Sequence, residues 1–171
     1  MADLREFNEV KAAVKACNTE AAFFHGVYCV AAVAACIEAI ANKLVFQQTA
    51  AHPDHRDRRQ PLQKINEAAT ALAQAAGLAF IPLAAEQPSY DALETVRQLR
   101  NAFMHAKERD EEVDPVALTS TVFTQVDEAH CRTYLQQLKL GVAHVYRQLP
   151  ALASPIVTRD NVKWLGELEV P

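Results

Sequence analysis

Apolar residues recur at three- and four-residue steps along most of the chain, which is the spacing of amphipathic helices. The pattern predicts five helices, over residues 3–17, 19–48, 61–77, 90–109 and 125–149. The second is apolar nearly all round between Val27 and Ile37, as expected for a helix at the centre of a bundle. We therefore expect an all-α fold: an antiparallel bundle of about five helices over residues 1–150, followed by an irregular C-terminal tail over residues 151–171 that packs on the bundle or extends from it.

Several helix ends can be assigned from residue type. Pro61 suits the first position of a helix and Gly77 suits a C-terminal stop. Ser89 is expected to cap the helix over residues 90–109. The stretch Val116 to Phe123 is rich in β-branched residues and is compatible with a short strand or with a helical turn.

Composition agrees with one helical domain. The chain has 171 residues, of which half are apolar, and only 4 glycines, enough to bury a real core. A net charge of −4 argues against a protein that coats nucleic acid over a broad surface. A small basic cleft remains compatible with that charge.

The cysteines and the apolar run point to a cytoplasmic protein. Cys17, Cys29, Cys36 and Cys131 show no Cys-x-x-Cys spacing, and free cysteines of this kind fit a reducing compartment. The run from Gly26 to Ile37 is shorter than the roughly 20 residues that cross a bilayer. We expect neither export nor membrane association.

The segment Arg100-Asn101-Ala102-Phe103-Met104-His105 is the strongest candidate for chemistry. Arginine carries a permanent planar charge that can hold phosphate with two hydrogen bonds, and histidine gains or loses a proton near neutral pH. On an ideal helix Arg97, Asn101 and His105 form one row opposite the buried stripe, with Arg100 about 140° from His105. Convergence on one phosphate then needs the arginine to reach round the helix, a distorted helix or a second protomer. The simpler interpretation is a solvated polar face.

Glu38 and Asn42 form a second polar pair, one turn apart amid alanines on the helix over residues 19–48. Such a glutamate is expected to be buried and to need a partner. An arginine of the helix over residues 90–109 is the obvious candidate.

The segment from Leu99 to Ala106 resembles the Arg-x4–6-His signature of HEPN domains, the higher eukaryotes and prokaryotes nucleotide-binding superfamily, in the form with Asn directly after Arg. The spacing of Glu38 and Asn42 is similar to a Glu-x3-Asn pattern on an earlier helix of some members. The resemblance implies a helical bundle over about residues 3–149, commonly a homodimer with arginine and histidine from both protomers in one cleft. Many such proteins are metal-independent RNases, and several are toxins of toxin–antitoxin or phage-defence systems with a cognate antitoxin. Others bind without catalysis.

If the site is catalytic, we expect His105 to act as general base or acid on the ribose 2′-hydroxyl or the leaving 5′-oxygen. Arg100 would hold the phosphate, and Asn101 would orient His105 or Arg100. Arg97 and Arg109 would extend the positive surface for RNA. No metal or cofactor is expected. The alternatives are a non-catalytic module that binds RNA, a nucleotide or a protein, and a structural protein whose polar row forms the dimer contact.

Other sites are poorly supported. The basic loop from His52 to Arg59 is interpreted as a solvated connection rather than an RNA contact, and His52 with His55 does not define a zinc site. A di-iron centre would need repeated Glu-x-x-His, which the sequence lacks. The four glycines are too scattered for a phosphate loop or a nucleophile elbow.

Overall fold

The computed structural model describes residues 19–51, 57–104, 113–114, 119–120 and 124–150, with side-chain surroundings given for 23–51, 57–104 and 124–150. Four helices lie in this part of the chain: α1 (Thr19–Thr49), α2 (Pro61–Ala75), α3 (Pro88–Met104) and α4 (Glu128–Arg147). Between α3 and α4, Val113–Asp114 (β1) pairs antiparallel with Thr119–Ser120 (β2). The prediction of a helical, bundle-like fold is confirmed. The helix expected over residues 3–17 and the tail over residues 151–171 lie outside the described residues.

Helix α1 packs against each of the other three described helices. Its buried side chains recur at the spacing of one helix face and include Val30, Val33, Ile37, Ala41 and Leu44. Each valine, isoleucine or leucine buried in this way contributes about 1.5–3 kcal/mol. The prediction that α1 is the central helix is correct in its contacts, but one side is open, with Tyr28 70% exposed.

The residues Phe23–Thr49 of α1 are also long and apolar enough to cross a membrane, with a mean hydropathy of 1.8 over the most apolar 18 residues. Core helices of soluble proteins and signal sequences satisfy the same criterion. Of the most apolar part of this helix, 39% is buried inside the fold. Length and composition alone therefore do not assign α1 to a membrane.

Helix α2 begins and ends where the sequence predicts. Pro61 occupies the first helical position, where a missing N–H costs nothing. At the other end Gly77 has a φ of +70°, and the N–H of Leu78 donates to the carbonyl of Ala73 at 2.9 Å. This arrangement satisfies carbonyls that the last turn leaves unpaired.

Two other helix starts differ from the prediction. Helix α3 begins at Pro88, so Ser89 lies within its first turn. The Ser89 hydroxyl instead donates to Oε1 of Gln137 at 2.8 Å and so links α3 to α4. Helix α4 begins at Glu128 after Asp127, whose carboxylate accepts from the N–H of His130 at 2.8 Å. Asp127 is thus the N-cap that the pattern of apolar residues did not identify.

The connector between α2 and α3 contains neither helix nor strand, and polar side chains fix it in place. Asn66 of α2 donates to the carbonyl of Leu83 at 2.7 Å and accepts from its N–H at 2.9 Å. Gln148 accepts from the N–H of Ile81 at 2.8 Å. These bonds set the position from which α3, with its arginines, begins.

Candidate functional site

Helix α3 carries the predicted polar row on the flank of its buried face. Leu93, Val96 and Leu99 are buried, whereas Arg97 and Asn101 are half-buried. For Arg97 and Asn101, the expectation that the row lies opposite the buried stripe is wrong, because α3 contacts both α1 and α4 and so buries a wider arc than one stripe. These two residues border α1, and His105, the third member of the row, lies outside the described residues.

A cleft of about 180 Å³ lies between α1, the segment before α2, and α3. The part of its wall where the helices meet is apolar, and the side chains around that part are polar. The polar residues are Glu38, Arg58, Arg59, Gln60, Arg97, Arg100 and Asn101. Four arginines from two separate stretches of sequence therefore line one small cavity, which is unusual in a chain of net negative charge.

The guanidinium of Arg59 is fully occupied by carboxylates. Its Nε and Nη2 donate to Asp57 at 2.9 and 2.7 Å, and its Nη1 donates to Glu67 at 2.6 Å. The hydrogen bond from Arg59 holds the pKa of Asp57 well below its usual range, and the two carboxylates raise the pKa of Arg59. Lys64 adds a second cation 3.5 Å from Asp57. We assign Arg59 to fixing the segment before α2 rather than to holding a ligand.

Arg97 is similarly engaged within α3. Its Nε donates to Glu94 at 2.9 Å and its Nη2 donates to the other oxygen of the same carboxylate. These hydrogen bonds lower the pKa of Glu94 and raise that of Arg97. Arg97, predicted as a substrate-binding residue, thus contributes positive charge to the cleft with two of its five N–H donors already used.

Arg100 has a looser partner. Its Nη2 lies 3.9 Å from Oε1 of Glu38, and the two side chains are 40% and 50% exposed. Its Nη1 also donates to Oδ1 of the adjacent Asn101 at 3.2 Å. The structure therefore pairs Glu38 with an arginine of this helix, as the sequence predicts. Glu38 itself is exposed, not buried, because it lies at the edge of the face that α1 buries.

Arg58 has no hydrogen bond or ion pair with any residue that the structure describes, and it is exposed at the cleft. From the sequence, Arg58 and Arg59 are predicted to belong to a solvated loop. The signal that could have identified them is the run of cations directly before the proline that starts α2. What the run could not show is that α2 begins beside α3.

Three further predicted residues do not join this site in the described part of the chain. Asn42 is exposed on α1 and is not among the residues that line the cleft. His105 and Arg109 lie outside the described residues, immediately beyond the end of α3 at Met104 and five residues past it. The cleft thus brings together Glu38, Arg97, Arg100 and Asn101.

Within the described ranges, no group of three or more histidine, cysteine, aspartate or glutamate side chains is placed to hold a metal ion. His52 and His55 lie outside those ranges. The cleft offers guanidinium donors, which suit phosphate and carboxylate groups. Comparison of the chain with models of known protein families, with curated proteins and with solved structures finds no match.

Proposed function

We propose that the protein is a metal-independent endoribonuclease of the HEPN type, which cleaves RNA at a cleft formed when two copies of the chain associate. The observation that supports this most directly is the meeting of Arg97, Arg100 and Asn101 with Glu38 and two further arginines around one water-accessible cavity. A cation cluster of this kind can hold a phosphate and stabilise the charge that develops on its oxygens.

In the proposed reaction the imidazole of His105 accepts the proton of the ribose 2′-hydroxyl. The 2′-oxygen then forms a bond to phosphorus, and the bond from phosphorus to the 5′-oxygen breaks as that oxygen gains a proton. A group that titrates near neutral pH can perform either proton transfer. The homodimer would supply a second imidazole, so that one His105 acts as base and the other as acid.

We also propose that the fold is an antiparallel five-helix bundle, with a helix over residues 3–17 and a C-terminal tail. We further propose that the protein is located in the cytoplasm. The free thiols of Cys29, Cys36 and Cys131 support a reducing compartment. A role as a toxin or defence component, controlled by a cognate antitoxin protein, rests on the resemblance alone.

A non-catalytic module that binds RNA, a nucleotide or a protein is the second candidate. One observation favours it: the four arginines of the described cleft all belong to a single protomer, so a phosphate can be held without a second copy of the chain. Such a module would retain the phosphate-holding residues and show no turnover.

Cleavage of a labelled RNA separates the two candidates. The wild-type protein, in the presence of EDTA, is expected to cleave the RNA with a rate that depends on pH near neutrality, and His105→Ala is expected to lose that activity. Arg100→Ala should reduce the rate by about 100-fold or more, the usual cost of a lost transition-state contact. Equal cleavage by wild type and His105→Ala would refute the nuclease, and binding without any cleavage would support the module.

A further inference from the structure

The balance of charged side chains around the cleft indicates which kind of phosphate group it can bind. The described charged residues that line the cleft, or that ion pairs link to its lining directly or through a shared partner, include five cations, namely Arg58, Arg59, Lys64, Arg97 and Arg100. They also include four carboxylates, namely Glu38, Asp57, Glu67 and Glu94. The described cluster thus carries one net positive charge.

The spare binding capacity of the cleft is concentrated in two of these cations. Arg59 donates from three nitrogens to carboxylates, and Arg97 uses two on Glu94. Arg58 has no hydrogen bond or ion pair with a described residue, and Arg100 has only the pair with Glu38 at 3.9 Å and the hydrogen bond to Asn101 at 3.2 Å. These two guanidinium groups come from different elements: Arg58 lies in the segment before α2, and Arg100 lies on α3. A ligand in the cleft can therefore be contacted from two sides.

Glu38 then limits the charge of the ligand. A carboxylate 3.9 Å from the guanidinium of Arg100 also repels any phosphate that Arg100 holds, by about 1 kcal/mol in water if the two anions approach to about 4 Å. A phosphodiester carries one negative charge, whereas a terminal phosphate carries about two above its second pKa of about 6. The net charge of the cluster matches the first and not the second.

We infer that Arg58 and Arg100 form a clamp for an internal phosphodiester and that Glu38 selects against a dianionic terminal phosphate. This inference rests on the proposed function for the identity of the ligand as a nucleic-acid backbone. Arg58 and Glu38 are specificity-determining residues in this scheme, and neither takes part in proton transfer. The clamp accepts a point within an RNA chain and discriminates against its phosphorylated end.

Two ligands that differ by one negative charge and one methyl group provide the test: uridine 5′-monophosphate and its methyl ester, titrated at pH 7.5 by calorimetry or NMR. The wild-type protein is expected to bind the methyl ester at least as tightly as the monophosphate. Glu38→Gln should raise the affinity for the monophosphate about fivefold relative to the ester. Arg58→Ala should weaken both ligands by about tenfold, and Arg58→Lys, which retains the charge, should lose less.

Arg147→Ala removes an exposed arginine that does not line the cleft and is the matched control, expected to bind like wild type. A 2′-fluoro RNA oligonucleotide, which cannot be cleaved through its 2′ position, adds a second measurement. Arg58→Ala should reduce the slope of log K against log salt by about 0.7, the contribution of one phosphate contact on a single strand. A purely structural role for Arg58 would leave that slope unchanged.

Three results would overturn the inference: a wild-type preference for the monophosphate, an unchanged ligand ratio in Glu38→Gln, or wild-type binding by Arg58→Ala. None of them depends on turnover. Wild-type RNA cleavage that requires His105, together with any of these results, would leave the proposed nuclease intact and remove the clamp. The expected binding pattern without cleavage would retain the clamp and remove the nuclease.

Discussion

Gly26 lies where α1 passes closest to the chain before α4, and we predict that Gly26→Ala destabilises the fold. A methyl group built at Gly26 would lie 1.9 Å from the carbonyl oxygen of Val126 and 2.9 Å from its carbonyl carbon. An ordinary contact between carbon and a carbonyl oxygen is about 3.3–3.6 Å. The two backbones would have to separate by more than an ångström, because the obstacle is backbone and not the end of a flexible side chain.

The magnitude follows from two opposing effects. Forcing an extra methyl group into a packed site costs about 1–3 kcal/mol, and a clash with backbone belongs at the upper end of that range. Alanine is favoured over glycine within a helix by about 1 kcal/mol. The net loss expected for Gly26→Ala is therefore about 2 kcal/mol in the free energy of unfolding, or about 4–8 °C in Tm for a chain of this size.

Gly141→Ala is the matched control, since Gly141 is also a helical glycine in the packed interior. Its added methyl group would meet side-chain atoms, the nearest being Cδ1 of Leu93 at 3.3 Å. Leucine can move by a few tenths of an ångström, so we expect a change of less than about 1 kcal/mol. Urea unfolding followed by circular dichroism at 222 nm measures both variants. Stability of Gly26→Ala equal to or above that of wild type would refute the close approach of α1 to Val126.

Three further predictions concern single side chains. The hydrogen bond from Arg97 lowers the pKa of Glu94 in the folded state, so its stabilisation is present above the unfolded pKa of about 4.5 and is lost as the pH falls through the lower folded value. Glu94→Gln should cost up to about 1 kcal/mol at pH 7, and a difference from wild type that stays constant down to pH 3 would contradict this. Asp127→Ala removes the N-cap of α4 and should cost about 1 kcal/mol in urea unfolding, with Asp127→Asn losing clearly less; equal losses would exclude capping as the cause. Burial raises the pKa of the Cys131 thiol to about 12, so iodoacetamide at pH 8 should label it far more slowly in the native protein than in urea, and equal rates by mass spectrometry would show that the thiol is accessible and ionised.

The sequence by itself determined the four helices of the described residues and several of their ends. The apolar spacing that predicts a helix over residues 19–48 corresponds to α1 at Thr19–Thr49. Pro61 and Gly77 set the limits of α2 because each restricts or permits a particular backbone conformation regardless of tertiary contacts. The start of α3 is harder to predict from the sequence. Ser89 can either cap a helix or form a hydrogen bond with a side chain of another helix, and the position of Gln137 decides which of these two roles it has.

The tertiary structure alone decided which cations share a cleft and which of them remain available. Sequence spacing places Arg97, Arg100 and Asn101 on one helix, but only packing brings Arg58 beside them. Spacing also predicts a partner for Glu38, whereas its exposure depends on where α3 crosses α1. Local periodicity fixes the direction of a side chain relative to its own helix axis. Contacts between distant segments depend on how the helices are arranged in space, which the period of a single helix does not contain.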